Sequence, residues 1–196
     1  MSLHADVTRV LTDWVPDDPG QASVREAFLG FLLARDDACL RSCTPGHITA
    51  SAVVVDAAGE RVLLTLHPRV GRWLQLGGHL EDDESLVAAA LREATEESGI
   101  EGLVADPVPL DLSCHPITCK GSPPTRHYDV RFLVRAPDGA QEKISEESDD
   151  LRWVDLTDHT DLMPALSAEL EALLARAGQR ATSAHVPIGT IVTADR

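Results

Sequence analysis

The sequence predicts an α+β domain with strands layered between helices, preceded by a helical extension, and three observations carry that prediction. Short β-branched runs bounded by turn residues recur between residues 49 and 154. A helix with clear start and stop signals interrupts them, and a second helical run follows the last of them. A sheet whose two faces are each covered by helix is an α/β/α sandwich.

The elements follow in order. Leu3, Val7, Val10, Leu11 and Trp14 recur at helical spacing, and the Pro16 to Gly20 stretch ends that run. Gln21 to Arg35 reads as a second apolar helix, so residues 1–45 form an extension that packs on the domain or on a second copy of it. Thr49 to Asp56 and Arg61 to Leu66 are strands joined by a turn, which makes a hairpin. After His67 comes a loop with Pro68, Gly71, Gly77 and Gly78. Ser85 as N-cap and Gly99 as C′ residue bound a central helix. Strands then fit Leu103 to Ile117, interrupted by Pro107 and Pro109, Tyr128 to Arg135, and Leu151 to Val154. A final helix runs from Pro164 to Arg176. The expected units are therefore an extension over 1–45, a domain over 46–176 and a tail over 177–196.

Composition narrows the function. The 196 residues include 17 basic and 32 acidic side chains, a net charge of −15. Such an excess repels phosphate backbones and anionic membranes, so neither nucleic acid nor membrane is an expected partner. There is no run of 18 apolar residues and no basic, then apolar, leader, so a cytoplasmic protein is expected. Cys39, Cys43, Cys114 and Cys119 are too few for a disulfide scaffold and read as small hydrophobes. Their spacings, with His115 and His127, do not fit the usual zinc pairs.

The acid is concentrated. Glu81 to Asp106 holds nine acids and one base, and Glu142 to Asp161 eight acids and two bases. Each run is either a solvated face or part of a site for a divalent cation, which needs several carboxylate oxygens. On the central helix Glu93, Glu96 and Glu97 are related as i, i+3 and i+4 and share one face, while Val87, Leu91 and Ala94 point the other way. Like charges at this spacing destabilise a helix, and these lie in its last two turns, where the dipole disfavours acids. Mg²⁺ is the simplest compensation, because it takes oxygen ligands and bridges carboxylates to phosphates. Arg92 can pair with Glu84 or Glu96.

Gly78, five residues, Glu84, seven residues, then Arg92-Glu93-Ala94-Thr95-Glu96-Glu97-Ser98-Gly99-Ile100 resembles the Nudix box over its full 23 residues, with Ala94 smaller than the usual bulky aliphatic. The resemblance extends from about His47 to Leu174, and it implies a Nudix-type α/β/α sandwich with a mixed sheet. It also implies a pyrophosphohydrolase acting on a nucleoside diphosphate linked to another moiety. By resemblance, Glu93, Glu96 and Glu97 bind Mg²⁺ or Mn²⁺, the Gly77 carbonyl adds a ligand, and Glu84 with Arg92 makes a supporting ion pair. Glu147, six residues before Trp153, suits the further glutamate that such enzymes use as metal ligand or base, with Glu146 as the alternative.

The expected chemistry has dications neutralise a polyanionic substrate while Glu97, Glu93 or Glu147 takes a proton from attacking water. Arg69, Arg72, Lys120 and Arg126 are candidates for phosphate oxygens. Tyr128 and Trp73 are candidates for stacking on a base or for the core. His79, beside the proposed metals, is a candidate for a substrate or proton role. Pro116 stands sixteen residues past Ile100, as in Nudix enzymes resembling ADP-ribose pyrophosphatases, although Leu76 to Glu81 does not look like theirs. Nucleotide sugars and nucleoside triphosphates are the neighbouring substrate classes. A silent Nudix domain that binds a nucleotide as a regulator is the competing reading. An isoprenyl diphosphate isomerase would need a cysteine at the metal site. The helical extension and long tail suggest a homodimer.

Overall fold

The computed structural model describes residues 1–68, 70–118, 124–144, 148–159, 162 and 166–183. Two helices lead the chain, α1 (Leu3–Asp13) and α2 (Pro19–Ala34), each started by a side-chain cap: Ser2 accepts from the Ala5 amide and Asp18 from the Gln21 amide. The strands β1 (His47–Val55) and β2 (Arg61–His67) form the expected hairpin, with Val54 opposite Leu63. The stretch expected to be loop holds two short strands, β3 (Arg72–Leu74) and β4 (Leu76–His79). Then come α3 (Leu86–Ser98), β5 (Val104–Ile117), β6 (Thr125–Arg135), β7 (Asp150–Asp155) and α4 (Ala168–Ser183).

The sheet runs β3-β2-β1-β6-β5, with β4 also on β1 and β7 on β2. It is mixed, because β1 and β6 are parallel while the other pairs are antiparallel. Pro107 and Pro109 do not end β5; they sit where its register against β6 shifts, as expected of residues that cannot donate to a ladder. Gln21 grips the same strand, its side chain both accepting from the Leu112 amide and donating to the Leu112 carbonyl.

Alternation along β1 sets the layers. Ile48, Ala50, Ala52 and Val54 join Val7 and Leu11 of α1, Phe28 and Leu32 of α2, and Leu91 and Ala94 of α3 in one core. Val53 and Val55 face the other way, into a core with Leu170, Leu173 and Leu174 of α4. The N-terminal helices, expected on the domain or on a second copy, pack on the domain itself. Asp6 fixes them there, its buried carboxylate accepting the Leu86 amide at the start of α3 at 2.9 Å.

The last helix starts later than expected and continues seven residues past Arg176, so the segment read as an aperiodic tail begins as helix. Its first turn is acidic, with Glu169 and Glu171, and Arg180 lies in its last, matching the helix dipole. Residues 184–196 lie outside the described residues. No helix among the described residues is long and apolar enough to cross a membrane.

Candidate active site

The acidic face of α3 is held by ordinary helix signals. Ser85 accepts from the Ala88 amide, and Gly99 adopts the left-handed conformation at φ 65° and donates to the Thr95 carbonyl. Val87, Leu91 and Ala94 are buried, which leaves Glu93, Glu96 and Glu97 on the opposite face. Two of the three meet the glycine pair of β4. The Gly77 amide donates to Glu97 Oε2 at 3.0 Å. A Cβ on Gly78 would lie 2.5 Å from Glu93 Oε2, so only a bare backbone leaves room for that carboxylate. Gly77, at φ 145°, could not carry a side chain either, since its Cβ would come within 2.5 Å of Ser51 Cα. Glu96 sits further out, its side chain 61% exposed.

Arg92 binds this face together. It donates to both oxygens of Asp83 (2.9 and 3.0 Å), to the His79 carbonyl (2.9 Å), to Glu93 (2.9 Å) and to Glu96 (3.2 Å). Here the sequence expectation needs correction: the acid that forks Arg92 is Asp83, not Glu84, which is exposed. The shorter Asp83 side chain, only 7% exposed, lies directly against the guanidinium and also accepts the Glu81 amide. Burial pushes the Asp83 pKa up, but Arg92 and the Glu81 amide outweigh it and hold it below the ordinary value. Hydrogen bonding to Asp83, foremost, keeps Arg92 firmly protonated.

Beside Gly77, Gly78 and Glu97 opens a cleft of about 320 Å³. Its floor is the polar end of the sheet face that α4 covers further along. Thr49 and Ser51 of β1 both donate to Asp129 of β6, at 2.9 and 2.8 Å. Arg131 donates to Asp129, Asp111 and Glu169, tying buried groups of β6 and β5 to an exposed carboxylate of α4. Burial would raise the Asp129 pKa, yet Arg131 and Ser51 more than offset it and hold Asp129 ionised. His67, Arg72, His115 and Pro116 complete the wall.

Strand parity decides the other candidates. His127, Asp129 and Arg131 face the cleft, so Arg126 and Tyr128 face away from it. Tyr128 is stacked on Phe31 at 4.2 Å and meets Phe28 edge-on at 5.2 Å, a core role that removes it from the substrate-binding set. Arg126 is exposed and outside the cleft lining. Trp73 is buried in the α4 core, with Arg152 over its ring. Of the cations, Arg72 reaches the cleft; Arg69 and Lys120 lie outside the described residues, as do Glu146 and Glu147.

His79 joins a group that sequence reading did not assemble. Its ring lies 5.1 Å from that of His47 and 5.1 Å from that of His127. Burial first, then neighbouring positive charge, lowers the pKa of His79 to about 4 and of His127 to about 3. Cys39 and Cys43 pack in the interior, where burial pushes Cys39 up to about 11. None of the described cysteines, Cys39, Cys43 or Cys114, lines the cleft; Cys119 lies outside the described residues. The polar floor and the histidine group had a faint signal: polar residues at every second position of otherwise apolar strands, Thr49 and Ser51, then His127, Asp129 and Arg131.

The donor set is all oxygen on the α3 side, and the Gly78 cradle admits a carboxylate, so these residues fit a hard dication such as Mg²⁺ or Mn²⁺. Comparison with known proteins agrees with this architecture. The NUDIX domain family matches residues 45–176. The chain belongs to the Nudix family of hydrolases.

Among curated relatives, an octanoyltransferase of Myxococcus xanthus is 33% identical over 147 residues, covering 73% of this chain and 40% of the relative. The m7GpppN-mRNA hydrolase NUDT17 of Bos taurus is 33% identical over 103 residues, 47% of this chain and 34% of that protein. The chain thus spans less than half the length of these relatives. Among solved structures, a MutT protein from Methanosarcina mazei Go1 is 24% identical with a TM-score of 0.51, covering 69% of this chain and 95% of that one. The E. coli dihydroneopterin triphosphate pyrophosphohydrolase is 20% identical with a TM-score of 0.51, covering 70% and 96%. These structural likenesses establish the Nudix fold.

Proposed function

We propose that this Nudix chain is a Mg²⁺- or Mn²⁺-dependent pyrophosphohydrolase that cleaves the diphosphate bond of a nucleoside diphosphate linked to another moiety. The observation that carries the reading is the convergence of Glu93 and Glu97 on the Gly77–Gly78 backbone at the wall of the cleft. Glu93, Glu96 and Glu97 hold the cation, with the Gly77 carbonyl and Glu147 as further ligands. When bound, the cation neutralises the diphosphate and lowers the pKa of water. Glu97, Glu93 or Glu147 accepts the proton as water attacks phosphorus in line.

Glu147 is supported by the anchors on either side of its segment. The Lys143 amide donates to the Ser98 carbonyl at the end of α3, and Ser148 bonds Thr65 in the cleft wall at 2.7 Å. Arg72, with Arg69, meets phosphate oxygens, and the paired Asp83 and Arg92 hold the acidic face in register. Pro116 in the wall favours ADP-ribose-like substrates; nucleotide sugars, nucleoside triphosphates and the capped nucleotides named for the NUDT17 relatives complete the set to be assayed.

The test is phosphate and nucleotide release from that panel with Mg²⁺, for the wild type and Glu97→Gln. Turnover of at least one substrate, falling about 10²-fold or more in the variant, is expected for loss of an acid–base group. Equal, negligible turnover by both would favour a nucleotide-binding regulator instead.

A further inference from the structure

Three histidines from three strands converge at one end of the sheet. His47 opens β1 and pairs in register with His127 of β6; His79 closes β4 opposite Thr49. One ring nitrogen from each lies within 4.8 Å of the others. The rings of His47 and His127 are 4.9 Å apart, and His79 lies 5.1 Å from both. His47 is 1% exposed, and its ring nitrogens make no well-formed hydrogen bond, the Cys43 carbonyl acting on the ring from outside ideal geometry. Folding seldom leaves a buried polar group in that condition without a ligand to satisfy it.

We infer that His47, His79 and His127 form a binding site for one transition-metal ion of the zinc class, separate from the carboxylate face of α3. Imidazole nitrogens suit Zn²⁺, Co²⁺, Ni²⁺ and Cu²⁺, whereas Mg²⁺ and Mn²⁺ favour the oxygen set. The two sites therefore sort cations by donor chemistry. Tetrahedral Zn²⁺ holds nitrogens at about 2.1 Å, hence roughly 3.4 Å from each other, which small side-chain rotations reach from the present spacing. Burial lowers the pKa of all three rings, the direction that favours the neutral form able to ligate. At His47 the Cys43 carbonyl opposes burial more strongly than Arg41 assists it, and burial prevails. A metal here pins the end of β4, two residues from Gly77, to β1 and β6. Its role is to brace the backbone that receives Glu97 and Glu93.

The test uses the untagged full-length protein after chelator treatment. Co²⁺ titration should give a visible ligand-field band of tetrahedral strength that saturates near one equivalent, and Zn²⁺ should abolish it. The band should survive in the double variant Glu93→Gln, Glu97→Gln and in Cys43→Ser. It should be lost in His47→Asn and in His127→Asn, the second being less buried and kept as the check should the first misfold by circular dichroism. Zn²⁺ should also raise the melting temperature of the wild type by several degrees and leave the histidine variants unmoved. Absence of a band in the wild type, or a band lost with the glutamates or with Cys43 and kept in a folded histidine variant, overturns the inference.

Discussion

An alanine at position 78 would put its Cβ 2.5 Å from Glu93 Oε2 and 2.7 Å from Glu93 Cδ. Non-bonded heavy atoms settle at about 3.5–4.0 Å, so the carboxylate must withdraw by roughly 1 Å. Position 78 has no left-handed backbone to strain, and the obstructing atoms are the end of a flexible side chain. Stability should therefore change by less than about 1 kcal/mol. Catalysis should not be spared, because a displacement of about 1 Å in a reacting group costs on the order of 10²-fold, equivalent to about 2.7 kcal/mol of barrier. Gly77→Ala is the contrasting control. There the Cβ meets the Ser51 Cα and the Ala50 carbonyl at 2.5 and 2.7 Å, both rigid backbone, and φ is 145°. Overpacking and backbone strain together predict a loss of about 2–5 kcal/mol, or roughly 4–20 °C in melting temperature. Measuring kcat/KM and thermal melting for both variants decides the matter. Wild-type turnover by Gly78→Ala, or a loss matched by a fall in melting temperature like that of Gly77→Ala, would refute the placement of Glu93 against this glycine.

Other expectations can be checked with the same two measurements. Asp6→Ala removes the acceptor of the Leu86 amide and should cost about 1–2 kcal/mol, the usual value of a helix cap, visible as a lower denaturation midpoint with an unchanged slope. Arg92→Leu strands the nearly buried Asp83 and Glu93; a loss of about 2–4 kcal/mol is expected, toward the low side of buried-pair values because Arg92 keeps some solvent contact. Asp83 has a folded pKa below its unfolded value near 3.9, so its contribution is complete above that value and is lost as pH falls through it toward the folded pKa. Asp83→Asn should therefore flatten the acid limb of the melting-temperature profile below about pH 4 relative to wild type; an unchanged limb would count against the Asp83–Arg92 fork.

The parts of the molecule that sequence reveals are those governed by local rules. Ser85 and Gly99 bound α3 because capping and left-handed φ are properties of single residues, and the i, i+3, i+4 acids follow from helix geometry once those ends are known. The hairpin and the closing helix have the same origin. What escaped depends on partners distant in the chain. Gly77 and Gly78 make β4 look like loop, yet Thr49 to Ala52 of β1 supply its ladder. Asp83 and Glu84 are adjacent and chemically alike, so the fork to Arg92 is settled by which carboxylate faces inward. Tyr128 looks like a stacking residue until the parity of β6 is fixed by His127 and Asp129, one of which bonds across to Thr49 and Ser51. His47, His79 and His127 stand far apart in sequence and meet only through the sheet register.

The contact between Asp6 and Leu86 separates two boundaries that are usually treated as one. The unit shared with other Nudix proteins starts at residue 45, but the unit that folds includes α1 and α2. Cutting at residue 45 would leave the first turn of the box helix without its carboxylate, uncover the ring of Tyr128 where Phe28 and Phe31 now sit, and strip Leu112 of the Gln21 amide that bridges the kinked edge strand. The acids of α3 would then be aimed by a helix loosened at its root. Transplanting this module into another protein, or trimming it for study, thus requires the leading helices to travel with it.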